Sequence, residues 1–147
     1  LCLLSDKNHV FRAGILAFLL AHVAYSGLFA VVGVDPLWVG IGALAVGVLG
    51  VVVGRALRTF VGNLKVAVNA YIVVICAMVA MALGMAALGS GSGQEGLLFS
   101  AVAFFLSDLC VARERFVVSS LWNKAFGLPL YFGAQLGFAW FGVQVLS

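Results

Sequence analysis

A single carboxylic acid lies inside the apolar stretches of this sequence. Residues 104–116 read FFLSDLCVARERF, so Asp108 follows an apolar run and precedes a basic segment. Hydrocarbon cannot solvate an ionisable side chain, and such residues in membrane spans are usually functional. Asp108 is therefore the first candidate for a catalytic group. The alternative is an ion pair with Arg113 or Arg115 near the membrane interface.

The first apolar stretch contributes a histidine and a tyrosine. Residues spaced by three or four positions share one face of a helix. One such face holds Phe11, Gly14, Phe18, His22 and Tyr25. His22 and Tyr25 are therefore candidate catalytic partners of Asp108. The alternative for His22 is a histidine that only packs between helices.

Four further polar residues are candidates for substrate binding. They are Asn69, Tyr71, Tyr131 and Gln135. Tyr131 and Gln135 are four residues apart and share a face, whereas Asn69 and Tyr71 are two apart, so at most one of these two faces a cavity squarely. We predict one cavity on the basic side of the bundle that gathers the polar groups. Alternatively, the tyrosines anchor at the interface and the amides only join helices.

Composition predicts the elements that hold these residues. Of the 147 residues 65% are hydrophobic and 9% are charged, with a mean hydropathy of +1.22, too little polar surface for a soluble domain. Apolar segments of about 20 residues, the length that crosses a bilayer core, recur along the chain. We predict an all-α, polytopic transmembrane bundle in a single membrane domain (1–147). Its five spans are placed at about 10–32, 38–57, 66–88, 97–112 and 126–146.

Glycines and loop charges refine this bundle. Gly40, Gly47, Gly50 and Gly54 predict close helix packing along the second span. With five spans, all eight basic residues fall on one side, which the positive-inside rule makes cytoplasmic. The net charge of +3 thus relates to orientation and does not indicate nucleic-acid binding. We expect a multi-pass protein of a bacterial cytoplasmic membrane.

The ends and the cysteines add two expectations. Residues 1–4, LCLL, predict the last turn of a helix that begins upstream, so we expect a fragment of a longer protein. The three cysteines show neither disulfide nor metal-site spacing, and no ligand cluster is visible. We therefore expect no metal and no other cofactor.

Four motifs, in order along the chain, resemble the YhhN family, which includes the lysoplasmalogenases. They are F-x2-G-x3-F-x3-H-x2-Y at 11–25, the series Lys65, Tyr71 and Met78, SDLCVARERF at 107–116, and YFGAQ at 131–135. The resemblance implies a bundle of eight helices, of which this chain would be the last five. It also implies a Gly-Asp pair just upstream of the stretch that matches residues 1–4.

The resemblance implies hydrolysis of the vinyl ether bond of lysoplasmalogen, a lysophospholipid, to a fatty aldehyde and a glycerophospho-head group. Vinyl ethers are cleaved by slow protonation of carbon, for which a carboxylic acid held in its protonated form is suited. Asp108 would supply the proton, and His22 or Tyr25 would orient water. Tyr131 and Gln135 would hold the head group or glycerol, and Arg113 and Arg115 would contact the lipid phosphate.

Three other classes remain open on the residues alone. A small transporter would use the polar cavity to move a solute or proton, and Pro129 is the only sign of a broken helix. A structural membrane subunit would use the same polar residues to join helices. An intramembrane aspartyl protease is a distant alternative, because its paired-aspartate signatures are not present.

Overall fold

The structure, a computed structural model, describes residues 8–89 and 91–146. These residues form five long helices joined by short turns, with no strand in the part described. The helices are α1 (Asn8–Val32), α2 (Pro36–Leu57), α3 (Lys65–Leu88), α4 (Ser92–Phe116) and α5 (Leu121–Leu146). The all-α bundle is thus confirmed. The expectation for residues 1–4 lies outside the described residues, and the single-domain assignment stays a prediction.

Four of these helices are long and apolar enough to cross a membrane. They correspond to the first four predicted spans, within the part of the chain that the structure describes. α5 has 26 residues, which is ample length, but it carries Asn123, Lys124, Gln135 and Gln144 and does not belong to this most apolar set. The prediction of five helices is right, and four of the five predicted membrane spans are supported by length and composition within the described residues.

The predicted boundaries of the fourth and fifth spans were too short. α4 begins at Ser92, not 97, and ends at Phe116, not 112, while α5 begins at Leu121, not 126. Hydropathy detects the apolar run, whereas a helix continues as long as its terminal backbone groups and charges are satisfied. Glu95 lies in the first turn of α4 and Arg113 and Arg115 in its last, the favourable ends for these charges.

The centre of the bundle is α3, which packs against α1, α2 and α4, while α5 packs most extensively against α4. Short connections make consecutive helices antiparallel, so the basic turns after α2 and α4 lie at the same end. The buried apolar core runs through the middle of α3 and α4 and includes Phe29, Met78, Met85, Leu97, Phe104 and Phe138. This core holds the polar residues at fixed positions.

Only part of the predicted glycine packing is present. A side chain at Gly50 would meet Cys76 Sγ at 2.9 Å, and one at Gly42 would meet the Ala80 backbone at 3.1 Å, so these glycines let α2 approach α3. A Cβ at Gly40 or Gly47 would have nothing within 4 Å, so these two glycines face open space. The spacing alone could not tell packed glycines from open ones.

The turn between α1 and α2 fixes how these helices meet α3. Asp35 caps α2, since its Oδ1 accepts hydrogen bonds from the backbone of Leu37 (2.8 Å) and Trp38 (3.1 Å), with Pro36 in the first turn. The Asp35 amide donates to the carbonyl of Gly84 on α3 at 2.9 Å. The turn is therefore tied both to α2 and to the end of α3.

Candidate active site

His22 of α1 and Asp108 of α4 form a buried pair at the centre of the bundle. His22 Nε2 lies 3.2 Å from Asp108 Oδ2, and their side chains are 0% and 4% exposed. Apart from this contact, His22 Nε2 and both Asp108 oxygens lack a well-aligned hydrogen bond within the described residues. The sequence predicted His22 and Asp108 as candidate site residues, and the structure places them in direct contact.

The hydrogen-bonding of His22 determines how many protons the pair holds. Its Nδ1 lies 2.6 Å from the backbone carbonyl oxygen of Phe18, and a carbonyl only accepts, so we assign the hydrogen to Nδ1. Nε2 then faces a carboxyl oxygen, and this contact is attractive only when one proton lies between the two atoms. The pair is neutral overall whichever atom carries that proton, as burial away from water favours.

Tyr71 and Phe104 complete the surroundings of the pair. The Tyr71 ring meets the His22 ring edge-on at 5.5 Å, and its hydroxyl interacts with the Asp108 carboxyl without forming a well-aligned hydrogen bond. Phe104 packs against His22 with ring centroids 4.9 Å apart and is 1% exposed. The carboxyl thus keeps unused hydrogen-bonding capacity in an aromatic environment.

Asp108 is among the residues that line a cavity of about 60 Å³, although both of its carboxyl oxygens are buried. Its polar lining consists of Tyr71, Asp108 and Arg115, and the rest of the wall is apolar, with Ile15, Val53 and Phe116 among the residues. This volume admits water, which needs about 10–15 Å³. Asp108 lies eight residues from the end of α4, about 12 Å, which is twice the depth that the shorter predicted span gave it.

Tyr25 and Gln135 belong to a second polar group, separated from the acid pair. The Tyr25 hydroxyl donates to Gln135 Oε1 at 2.8 Å, and the Tyr25 ring stacks on Phe138 at 4.0 Å. Phe104 lies between the two groups, since its ring contacts both His22 (4.9 Å) and Tyr25 (6.3 Å). Tyr131 contacts Phe104 from the α5 side at 5.6 Å. These residues are close to the pair but do not touch it.

Two of the predicted binding residues lie elsewhere, so a single cavity does not gather every candidate. Asn69 is exposed and lines a groove between α2 and α3, on the other side of α3 from Tyr71. Arg113 is exposed and donates to Asn123 Oδ1 at 3.2 Å at the α4–α5 turn. Arg115 does line the Asp108 cavity. Residues two apart on a helix point about 160° from each other. For this reason Asn69 points away from the side of Tyr71, and Arg113 away from the side of Arg115.

Sequence reasoning missed three residues that hold this site together. Ser107, next to Asp108, donates from Oγ to the carbonyl of Gly127 on α5 at 3.0 Å, which fixes α4 against α5 beside the acid. Phe104 separates the two polar groups. Glu114 organises the α4–α5 turn, although the sequence placed it in a loop. For Ser107 and Glu114 the available signal in the sequence was a polar residue close to the end of the apolar run.

The comparison with protein families agrees with the site motifs. The YhhN family model matches residues 1–141, nearly the whole chain, and the chain therefore belongs to the YhhN family. Together with its apolar helices, this makes it a helical membrane protein. No curated protein and no solved structure is significantly similar to the chain.

Proposed function

We propose that the protein hydrolyses the vinyl ether bond of a lysoplasmalogen, giving a fatty aldehyde and a glycerophospho-head group. The observation that carries the proposal is the buried His22–Asp108 pair, which lies beside a cavity that Asp108 and Arg115 both line. The YhhN family membership is compatible with this activity.

The reaction needs a proton delivered to carbon and one water. Protonation of the β-carbon of the vinyl ether gives an oxocarbenium ion, which water captures as a hemiacetal that collapses to aldehyde and alcohol. Asp108 donates the proton through its carboxyl, and the pair then carries one negative charge opposite the cation. This opposite charge stabilises the oxocarbenium ion in an apolar site. The water loses its proton to the carboxylate or to His22 Nε2, which restores the neutral pair.

The residues that line the cavity match the parts of such a lipid and support this proposal. Arg115 lies two helical turns from Asp108, about 10 Å along α4, a distance that a glycerol unit and an arginine side chain together bridge. A guanidinium at one end suits a phosphate, and the apolar wall suits the alkenyl chain. The cavity of about 60 Å³ is smaller than the sites that hold small molecules, so entry of a lipid requires side chains such as Val53 and Phe116 to move apart.

Aldehyde release by purified full-length protein in lipid or detergent tests the proposal. We expect time-dependent aldehyde from a lysoplasmalogen and no product from the matched lysophospholipid in which an ester replaces the vinyl ether. Release of fatty acid from the ester instead, or no product from either substrate, would contradict the proposed activity.

The transporter interpretation has less support in this geometry. α5 continues through Pro129 as one helix, and the other described helices are also continuous. Discontinuous helices around a central site are the typical transporter feature. The polar pair is, moreover, closed off from the second polar group by Phe104.

A further inference from the structure

A groove of about 720 Å³ runs along α2 and α3 and is separated from the Asp108 cavity by Gly50, Val68 and Ile72, which line both. Asp108 does not line this groove, and its volume is within the range of sites that hold small molecules. One end is cationic, because Arg55, Arg58 and Lys65 all line it and no acidic residue does. The remaining wall consists mainly of small and apolar residues. The groove thus combines a positive end with an apolar floor.

The three cations of this groove have no counter-charge in the described part of the chain. None of them makes an ion pair or a side-chain hydrogen bond there. At the other basic turn, by contrast, Lys124 pairs with Glu114 at 3.2 Å. The positive-inside rule accounts for basic residues at this end of the bundle, but it does not require three of them to line one groove. Their arrangement is complementary to an anion.

Gly47 and Gly54 of α2 line the groove and are not needed there for helix packing. A Cβ at Gly47 would have nothing within 4 Å, and one at Gly54 would meet only ordinary contacts at 3.7 Å. Gly50, in contrast, is required by the close approach of Cys76. From Gly47 to Arg55 the helix rises about 12 Å, enough for the upper part of an acyl chain. The open glycines therefore form an apolar channel that leads to the cations.

We propose that this groove binds one anionic phospholipid of the surrounding membrane. The phosphate lies among Arg55, Arg58 and Lys65, where guanidinium groups donate two hydrogen bonds each, and one acyl chain follows the channel past Gly54 and Gly47. A second copy or another segment of the chain is the alternative occupant, and the experiment below distinguishes it from a lipid. Asn69, which is exposed in the same groove, supplies an amide for the head group.

Native mass spectrometry of purified full-length protein with added phosphatidylglycerol or phosphatidylcholine tests this site. We expect one tightly bound phosphatidylglycerol per chain. Removing one cation, as in Arg58→Gln, should weaken this binding about fivefold. Gly47→Leu should reduce it further by filling the channel. Gly40→Leu is the matched control, because Gly40 also faces open space on α2 but does not line the groove.

Three results would overturn the proposal. The first is equal binding of phosphatidylglycerol by Gly47→Leu and Gly40→Leu. The second is wild-type binding without preference for the anionic lipid. The third is a change in melting temperature or oligomeric state in Gly47→Leu alone, with lipid binding unchanged, which would mean that protein covers the groove. None of these outcomes depends on aldehyde release.

Discussion

Two carboxylates stand six residues apart on α4 and have opposite surroundings. Within the described residues, Asp108 interacts with the His22 imidazole at 3.2 Å and with the Tyr71 hydroxyl, and it lines a cavity. Glu114 has an 8% exposed side chain and four partners from the turn and from α5. Those partners are Ser119 Oγ at 2.6 Å, the Ser120 amide at 2.8 Å, Asn123 Nδ2 at 3.0 Å and Lys124 Nζ at 3.2 Å.

The difference separates a chemical role from a structural one. A carboxylate whose oxygens already accept from four groups has no capacity left for a substrate, and breaking these contacts costs stability. A carboxyl that keeps unused hydrogen-bonding capacity beside a cavity can exchange a proton without dismantling the fold. We therefore expect substitutions at Asp108 to change activity and substitutions at Glu114 to change stability.

The largest effect is expected for Asp108→Asn in the full-length protein. An amide has nearly the same size but cannot donate the proton, so aldehyde release should fall about 10²–10⁴-fold. The measurement is the initial rate of aldehyde release, with size-exclusion and thermal unfolding as checks of folding. Near-normal turnover in the folded variant would show that Asp108 is only a packing partner of His22.

Arg115→Ala should raise KM about 10- to 150-fold and leave kcat nearly unchanged, because a charge-assisted contact to phosphate contributes about 1.5–3 kcal/mol. Arg113→Ala is the matched control, since Arg113 lies two residues away on the same helix but does not line the Asp108 cavity. Steady-state kinetics of both variants makes the comparison. An equal rise in KM for both would point to a general attraction of the basic turn.

Glu114→Gln should lower the melting temperature of the full-length protein by several degrees while kcat stays close to wild type. The glutamine side chain has nearly the size of glutamate but cannot form the ion pair with Lys124. Its NH₂ group also replaces a carboxylate oxygen, so a donor would face the donor of Ser120 or Asn123. Thermal unfolding and aldehyde release are measured on the same preparation. A variant with unchanged stability and lost turnover would reverse the roles assigned to the two carboxylates.

Tyr25→Phe is expected to have the smallest effect, a loss of about 1 kcal/mol of stability from the hydrogen bond to Gln135. The ring at position 25 still stacks on Phe138, and Phe104 still lies between this ring and the acid pair. Turnover should change little. If it falls as far as in Asp108→Asn, Tyr25 reaches the reacting atoms and the site extends past Phe104, as the sequence alone suggested.

The sequence predicted the helical fold because apolar runs of membrane length report it directly. It misplaced the ends of α4 by several residues, since polar residues such as Glu114 belong to the helix without belonging to the apolar run. The end of a helix is decided by capping and charge, which are local contacts that hydropathy does not measure.

The site was predictable in its residue types and less so in its arrangement. His22 and Asp108 stood out as ionisable groups among apolar residues, but their contact depends on how α1 and α4 pack, which one sequence does not show. Asn69 lies in the α2–α3 groove because the rotation of α3 directs Tyr71, two residues on, to the pair. The sequence did not indicate the role of Phe104, because Phe104 comes to lie between His22 and Tyr25 only when the helices pack together.

The most direct test of carbon protonation by the site is the reaction of wild-type full-length protein in D₂O. The aldehyde is trapped at once and analysed by mass spectrometry, and an unlabelled aldehyde incubated in parallel measures background exchange. The account predicts one deuterium on the carbon next to the aldehyde group and slower release than in H₂O, because proton transfer to carbon limits the rate. Aldehyde without deuterium at that carbon would contradict it.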